Sequence, residues 1–309
     1  MDGTDSLARL DWRHAHAKKK GMILAVLAAI GFSAKAIFVK MGYRYGASAE
    51  ALLVLRMAFA LPFFLLLARQ SAQADVGQLT WSDWRQLVVL GLLGYYLSSW
   101  LDFIGLRFVS AALERLTLYL YPTLVLFISV LWLGKRYPVK VWWGVGLAYL
   151  GVALAFVQDL RDAELGHQAL FGLSWVLASA VSFALYLVGS GEAIARFGAT
   201  RFTALATLVA CIAVFIHFAV TMPLAALQLP APVYLIGLAM GVFSTALPLL
   251  CMNMAIRQLG AGKAASVGTL GPVLTMALGW LVLGESLSVL QIVGAGLVIG
   301  GVGVASRSK

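Results

Sequence analysis

From residue 22 onward the chain alternates between long apolar runs and short polar breaks. The runs fall at 22–42, 50–69, 85–107, 110–133, 140–158, 168–190, 201–222, 232–255, 262–284 and 288–305. Each holds about 18–24 residues, enough for an α-helix to cross a hydrocarbon layer about 30 Å thick. Backbone amides find no water in lipid, so a spanning segment must satisfy them internally, which excludes open sheets. The pattern predicts an all-α integral membrane protein with ten transmembrane helices.

The polar breaks orient these helices. With the amino terminus inside, the outer connections carry Lys40, Arg44, Arg107, Arg115 and Arg161. The inner segments carry all the remaining Lys and Arg except Lys35 and Arg56, which fall within runs. The excess of positive charge on cytoplasmic loops then places both termini in the cytoplasm. Residues 1–20 form a polar cytoplasmic segment ending in Lys18-Lys19-Lys20. This start, with Ala34-Lys35-Ala36 beyond it, imitates a secretory signal. The apolar run continues past that point to Tyr43, so a retained first helix is expected.

The runs also repeat. Shifted by 150 positions, Gly105–Ala155 lies over Ala255–Ala305 without a gap. Arg107, Pro122, Gly134, Gly144, Gly146 and Gly151 meet Arg257, Pro272, Gly284, Gly294, Gly296 and Gly301. Leu and Val matches carry little weight in so apolar a chain, whereas Pro and Gly held in register do. Five spans per half is an odd number, so residues 21–158 and 168–305 are expected to be inverted repeats around a site near the midplane.

Composition narrows the class further. Hydrophobic residues make up 61% of the 309 and charged residues 12%, and the mean hydropathy is +0.91. The net charge of +10 reflects the loops, so no nucleic-acid partner is expected. Cys211 and Cys251 both lie in apolar runs and suggest no disulfide framework. His14, His16, His167 and His217 lack partners at metal-ligand spacing, so neither metal nor cofactor is expected. No G-x-x-x-x-G-K-[ST] loop or catalytic constellation is present, which argues against ATP-driven transport and against an enzyme.

The two five-helix halves, Pro272 followed by Leu283-Gly284-Glu285, and a Gly-rich last helix together resemble the EamA-type drug/metabolite transporter superfamily. Lys135 departs from the pattern, standing where the second half has Glu285. Within the superfamily the chain is most similar to bacterial aromatic amino acid exporters. The resemblance implies a secondary transporter of the bacterial inner membrane. It would export small amphipathic metabolites, amino acids being the expected class with aromatic ones favoured, by alternating access. A channel-like facilitator, or a membrane enzyme or helper subunit, is the alternative.

Charged residues inside spans are costly and mark candidate sites. Lys35, Arg56, Asp102, Glu114 and Arg115 all belong to the first half. Lys35 and Asp102 are candidates to grip substrate charge; Arg56, Glu114 and Arg115 are read as snorkelling or locking residues. Tyr95, Ser98, Ser99 and Asp102 recur at helical spacing and are expected to share a cavity-lining face, with Tyr121 on the next helix. Ser244 and Thr245 occupy the matching stretch of helix eight. The resemblance places the cavity between helices one, three, four, six, eight and nine, which adds Phe32, Phe183, Tyr186 and Thr269. Pro122, Pro248 and Pro272 lie within spans and are candidate hinges. The expected partners are a small-molecule substrate and membrane lipid. A monomer is favoured, with a homodimer through Gly296-x3-Gly300 as the alternative.

Overall fold

The computed structural model describes residues 3–72, 79–134, 136–161, 168–259, 267–268 and 270–307. Among them every regular element is a helix and no strand occurs. Eight helices are long and apolar enough to cross a membrane: α1 (Lys19–Arg44), α2 (Ala49–Ser71), α3 (Trp81–Gly105), α4 (Ala111–Trp132), α5 (Val139–Arg161), α6 (Ala169–Arg196), α7 (Ala199–Thr221) and α8 (Ala231–Ile256). Two shorter apolar helices follow, α9 (Gly271–Leu283) and α10 (Val289–Ala305). The expected ninth span begins at 262, but residues 260–266 and 269 lie outside the described residues.

The helices depart from regular geometry at matching places. α3 opens into a π turn at Leu92–Leu97 directly after Gly91, and α8 does so at Val242–Ala246 directly after Gly241. α4 stops at Leu118 and restarts at Tyr121 with Pro122 in its first turn. α9 begins at Gly271 with Pro272 in its first turn. Pro122 and Pro272 therefore open helices, where a missing N–H costs nothing, rather than interrupting them as expected. Pro248 does lie within α8, directly beyond its π turn. The stretches from each proline end alike, at Gly134 (φ 60°) and Gly284 (φ 69°). That left-handed conformation suits glycine, which has no Cβ to clash.

Packing pairs the two halves with their positions exchanged. α5 and α10 touch backbone to backbone. A Cβ on Gly144 would stand 2.6 Å from the Gly301 oxygen, and one on Gly151 would stand 2.5 Å from the Gly294 oxygen. α3 meets α7 where a Cβ on Gly91 would lie 2.6 Å from the Ala206 oxygen. α8 meets α2 where a Cβ on Gly241 would lie 2.9 Å from the Arg56 oxygen. The π turns are approached in the same way. Ser182 of α6 donates to the Leu93 carbonyl at 2.8 Å, and Gly31 of α1 brings its backbone against the Phe243 carbonyl.

One buried apolar cluster lies mainly among α1, α2, α3, α7 and α8, reaching Ala111 of α4 and Leu283 of α9, and a second joins α4, α5, α6, α9 and α10. The exterior is apolar too: Ile212, Ile216 and Val220 of α7, and Trp280 and Leu281 of α9, are exposed. An outer surface of this kind suits lipid and would be a liability in water.

Candidate substrate and ion site

The charges predicted inside spans meet between α1, α3 and α4. Lys35 of α1 donates to Asp102 Oδ2 of α3 at 2.5 Å, and the same ammonium lies 3.5 Å from Glu114 Oε1 of α4. The three side chains are 16%, 2% and 0% exposed. α4 brings Glu114 inward because Ser110 caps its first turn, accepting from the Leu113 N–H at 3.1 Å. Asp102 Oδ1 and both Glu114 carboxyl oxygens are buried without a hydrogen-bond partner among the described residues. A buried ammonium shared by acidic groups from two helices holds those helices in register.

Arg56 of α2 is buried as well. Its guanidinium donates to Thr245 Oγ1 of α8 at 3.1 Å and to Ser99 Oγ of α3 at 3.3 Å. It also lies 5.6 Å from the centre of the Phe103 ring. Arg56 and Glu114 are thus buried in the interior, so of the two readings of the sequence, snorkelling or locking, snorkelling does not apply to them. Arg115 packs its guanidinium against Gly271, at the opening of α9.

A second group is aromatic. The Tyr95 and Tyr186 hydroxyls are 3.0 Å apart. Tyr186 stacks on Phe183 at 5.6 Å, and Phe183 meets Tyr121 edge-on at 5.2 Å. Four of the predicted site residues, from α3, α4 and α6, therefore form one continuous patch of rings. The expectation that Tyr95, Ser98, Ser99 and Asp102 share a single lining does not hold. Tyr95 and Ser98 face α6, where Ser98 meets Ser179 at 3.2 Å; Ser99 turns to Arg56 and Asp102 to Lys35. α3 is surrounded by neighbours, so one stripe of its surface reaches three of them.

The remaining predicted residues are less engaged. Phe32 lies on α1 and is partly buried. Ser244 is buried and returns its hydroxyl to the Met240 carbonyl at 3.0 Å. Pro248 packs against Gly31. Thr269 lies outside the described residues.

One end of the bundle is cross-linked. Lys40 pairs with Glu285 at 2.9 Å, and both Glu285 oxygens accept from the Ala111 N–H at 3.1 Å. Arg44 donates to the Leu283 carbonyl and Tyr43 to the Phe103 carbonyl. Asp159 of α5 accepts from the Ser110 N–H at 2.7 Å and from its hydroxyl at 2.8 Å, while Gln291 of α10 donates to it at 3.4 Å. The described contacts at the opposite end are fewer, led by Arg196 with Asp83 at 2.6 Å.

The profile of the EamA-like transporter family matches residues 19–157 and again 170–307. The chain belongs to the EamA-like transporter family. Within this family it is 31% identical to the uncharacterized transporter YcbK of Bacillus subtilis, over 89% of each chain. It is 28% identical to the pseudopaline exporter CntI of Pseudomonas aeruginosa, over 94% of this chain and 97% of that one. A crystal structure of a protein 19% identical in sequence superposes with a TM-score of 0.62 over 94% of this chain, which speaks for the fold. This EamA-like protein is accordingly a multi-pass membrane transporter of a small molecule.

The sequence did not single out the Ser110–Asp159–Gln291 junction of this EamA-like chain. The available signal was a carboxylate in the last turn of an otherwise apolar span, with a Ser directly before α4.

Proposed function

We propose that this chain is a secondary transporter of the bacterial inner membrane that exports small amphipathic metabolites. Amino acids are the favoured substrate class, aromatic ones first. The observation that carries this reading is the shared ammonium of Lys35 between Asp102 and Glu114, deep in an apolar bundle. The ring patch of Tyr95, Tyr121, Phe183 and Tyr186 supports an aromatic or apolar substrate moiety. A relative named as an exporter supports the outward direction.

The ten apolar helices act as two inverted five-helix repeats, 21–158 and 168–305, with both termini cytoplasmic. The exchanged contacts Gly144–Gly301 and Gly151–Gly294 support the pseudo-two-fold relation, and the loop charges support the orientation. Alternating access breaks the cross-linked end around Lys40–Glu285 as the opposite end closes. Pro122 and Pro272, in the first turn of a helix, and Pro248, just beyond the π turn of α8, are the hinges of this motion.

Counterflow in proteoliposomes tests the reading. Vesicles preloaded with unlabelled tryptophan or phenylalanine should transiently accumulate the labelled amino acid, and competing aromatic amino acids should suppress it. Flux that never saturates would replace the carrier with a channel. Absence of accumulation by folded protein would withdraw the aromatic substrate.

A further inference from the structure

We propose that Asp102 and Glu114 form a proton-binding carboxyl pair, latched by Lys35, through which proton entry drives export. The two carboxyl groups face a single cation: the Lys35 ammonium lies 2.5 Å from Asp102 Oδ2 and 3.5 Å from Glu114 Oε1. Ionised carboxylates only accept, so two of them can hydrogen-bond only with a proton between them. Three of the pair's four oxygens, Asp102 Oδ1 and Glu114 Oε1 and Oε2, are buried and unbonded among the described residues. Asp102 Oδ2 alone is taken, by Lys35. One proton resolves this arrangement: Glu114 O–H donates to Asp102 Oδ1, and the Lys35 ammonium stays on Oδ2.

The surrounding charges fit a single bound proton. Lys35 of α1, Asp102 of α3 and Arg115 of α4 itself act on Glu114. Arg56 of α2 acts on Asp102, but its hydrogen bonds go to Thr245 and Ser99. Glu285 and Asp159 bind the opening of α4, at Ala111 and Ser110. Loss of the proton leaves two carboxylates on one ammonium and draws Lys35 between them, pulling α1 towards α4. Because α1 also carries Lys40 and Arg44, this pull bears on their contacts with Glu285 and Leu283. The proton leaves towards the side then open, and the substrate moves the opposite way.

This inference rests on the transporter reading for what the proton drives, but not for where the proton sits, and two measurements separate the two. The first is infrared spectroscopy of the purified protein in lipid at neutral pH. A protonated-carboxyl C=O band is expected in the wild type, lost in E114Q and in D102N, and retained in E285Q. A wild type without the band, or a band that survives E114Q in protein eluting normally on a sizing column, overturns the site. The second is accumulation of labelled tryptophan and phenylalanine in proteoliposomes with an acidic interior. Wild type should accumulate several-fold more than without the gradient, and E114Q should lose that stimulation. Wild-type transport indifferent to the gradient overturns the coupling. If the band behaves as expected but neither amino acid moves, the proton site stands and the substrate class falls.

Discussion

Among the described residues, the stretch α3–α4 and its counterpart α8–α9 share several backbone landmarks and differ in chemistry. Both have a π turn directly after a glycine, both open a helix on a proline, and both end on a left-handed glycine. Their side chains diverge. Asp102 corresponds to Met252, Glu114 to Ala264 and Arg115 to Ala265. Helix geometry follows from where glycine and proline fall, and duplication copied those residues. The charges were not kept with them: Met252, Ala264 and Ala265 stand where the first half has Asp102, Glu114 and Arg115. The Lys35–Asp102–Glu114 group thus belongs to the first half alone, while the glycine and proline landmarks recur in both.

The largest effect should come from the shared architecture. Gly151→Leu would drive a side chain into the Gly294 backbone, and Gly301→Leu would do the same at Gly144. Overpacking of this kind costs about 1–3 kcal/mol or more where backbone faces backbone. Both variants should lose monodisperse protein in detergent to the same degree, while Gly146→Leu, with nothing within 4 Å of its Cβ, should not. Unequal losses would break the equivalence of the halves.

Charge should behave in the opposite way. Asp102→Ala is expected to reduce transport by at least about tenfold, an effect worth about 1.4 kcal/mol at the barrier. The protein should stay folded, because Glu114 lies 3.5 Å from the released Lys35. Met252→Ala, at the matching position, should leave transport near wild type. Equal losses at both positions would show that the second half carries function as well. The smallest effect is expected at the helix ends. Gly134→Ala and Gly284→Ala each place a Cβ in the left-handed region, at about 1–2 kcal/mol, and thermal unfolding should show matched decreases.

Much of this was legible in the sequence because the signals are local or periodic. Span length, Pro and Gly register and loop charge need no knowledge of packing, and the described helices fall where the apolar runs do. Lys35 and Asp102 were identifiable because a charge in lipid needs a partner. The partners of Arg56 were not, since Ser99 and Thr245 lie 43 and 189 residues away in sequence. The π turns were also hidden: Leu-Leu-Gly-Tyr-Tyr-Leu has no feature that distinguishes it from an ordinary helix. The failure of Tyr95 and Asp102 to share a lining has a similar origin, because helical spacing says which residues point together but not how many neighbours surround them.

The contacts of α5 with α10 read the same from either side, Gly144 with Gly301 and Gly151 with Gly294. A surface that meets its own copy through exchanged positions is an isologous interface, as in a two-fold homodimer. Were the two halves separate identical chains, such an interface would carry every charge twice, with two copies of Lys35, Asp102 and Glu114. Fusing the two subunits into one polypeptide removes that requirement. Each position can then be edited once, and Lys35, Asp102 and Glu114 stand in one half only.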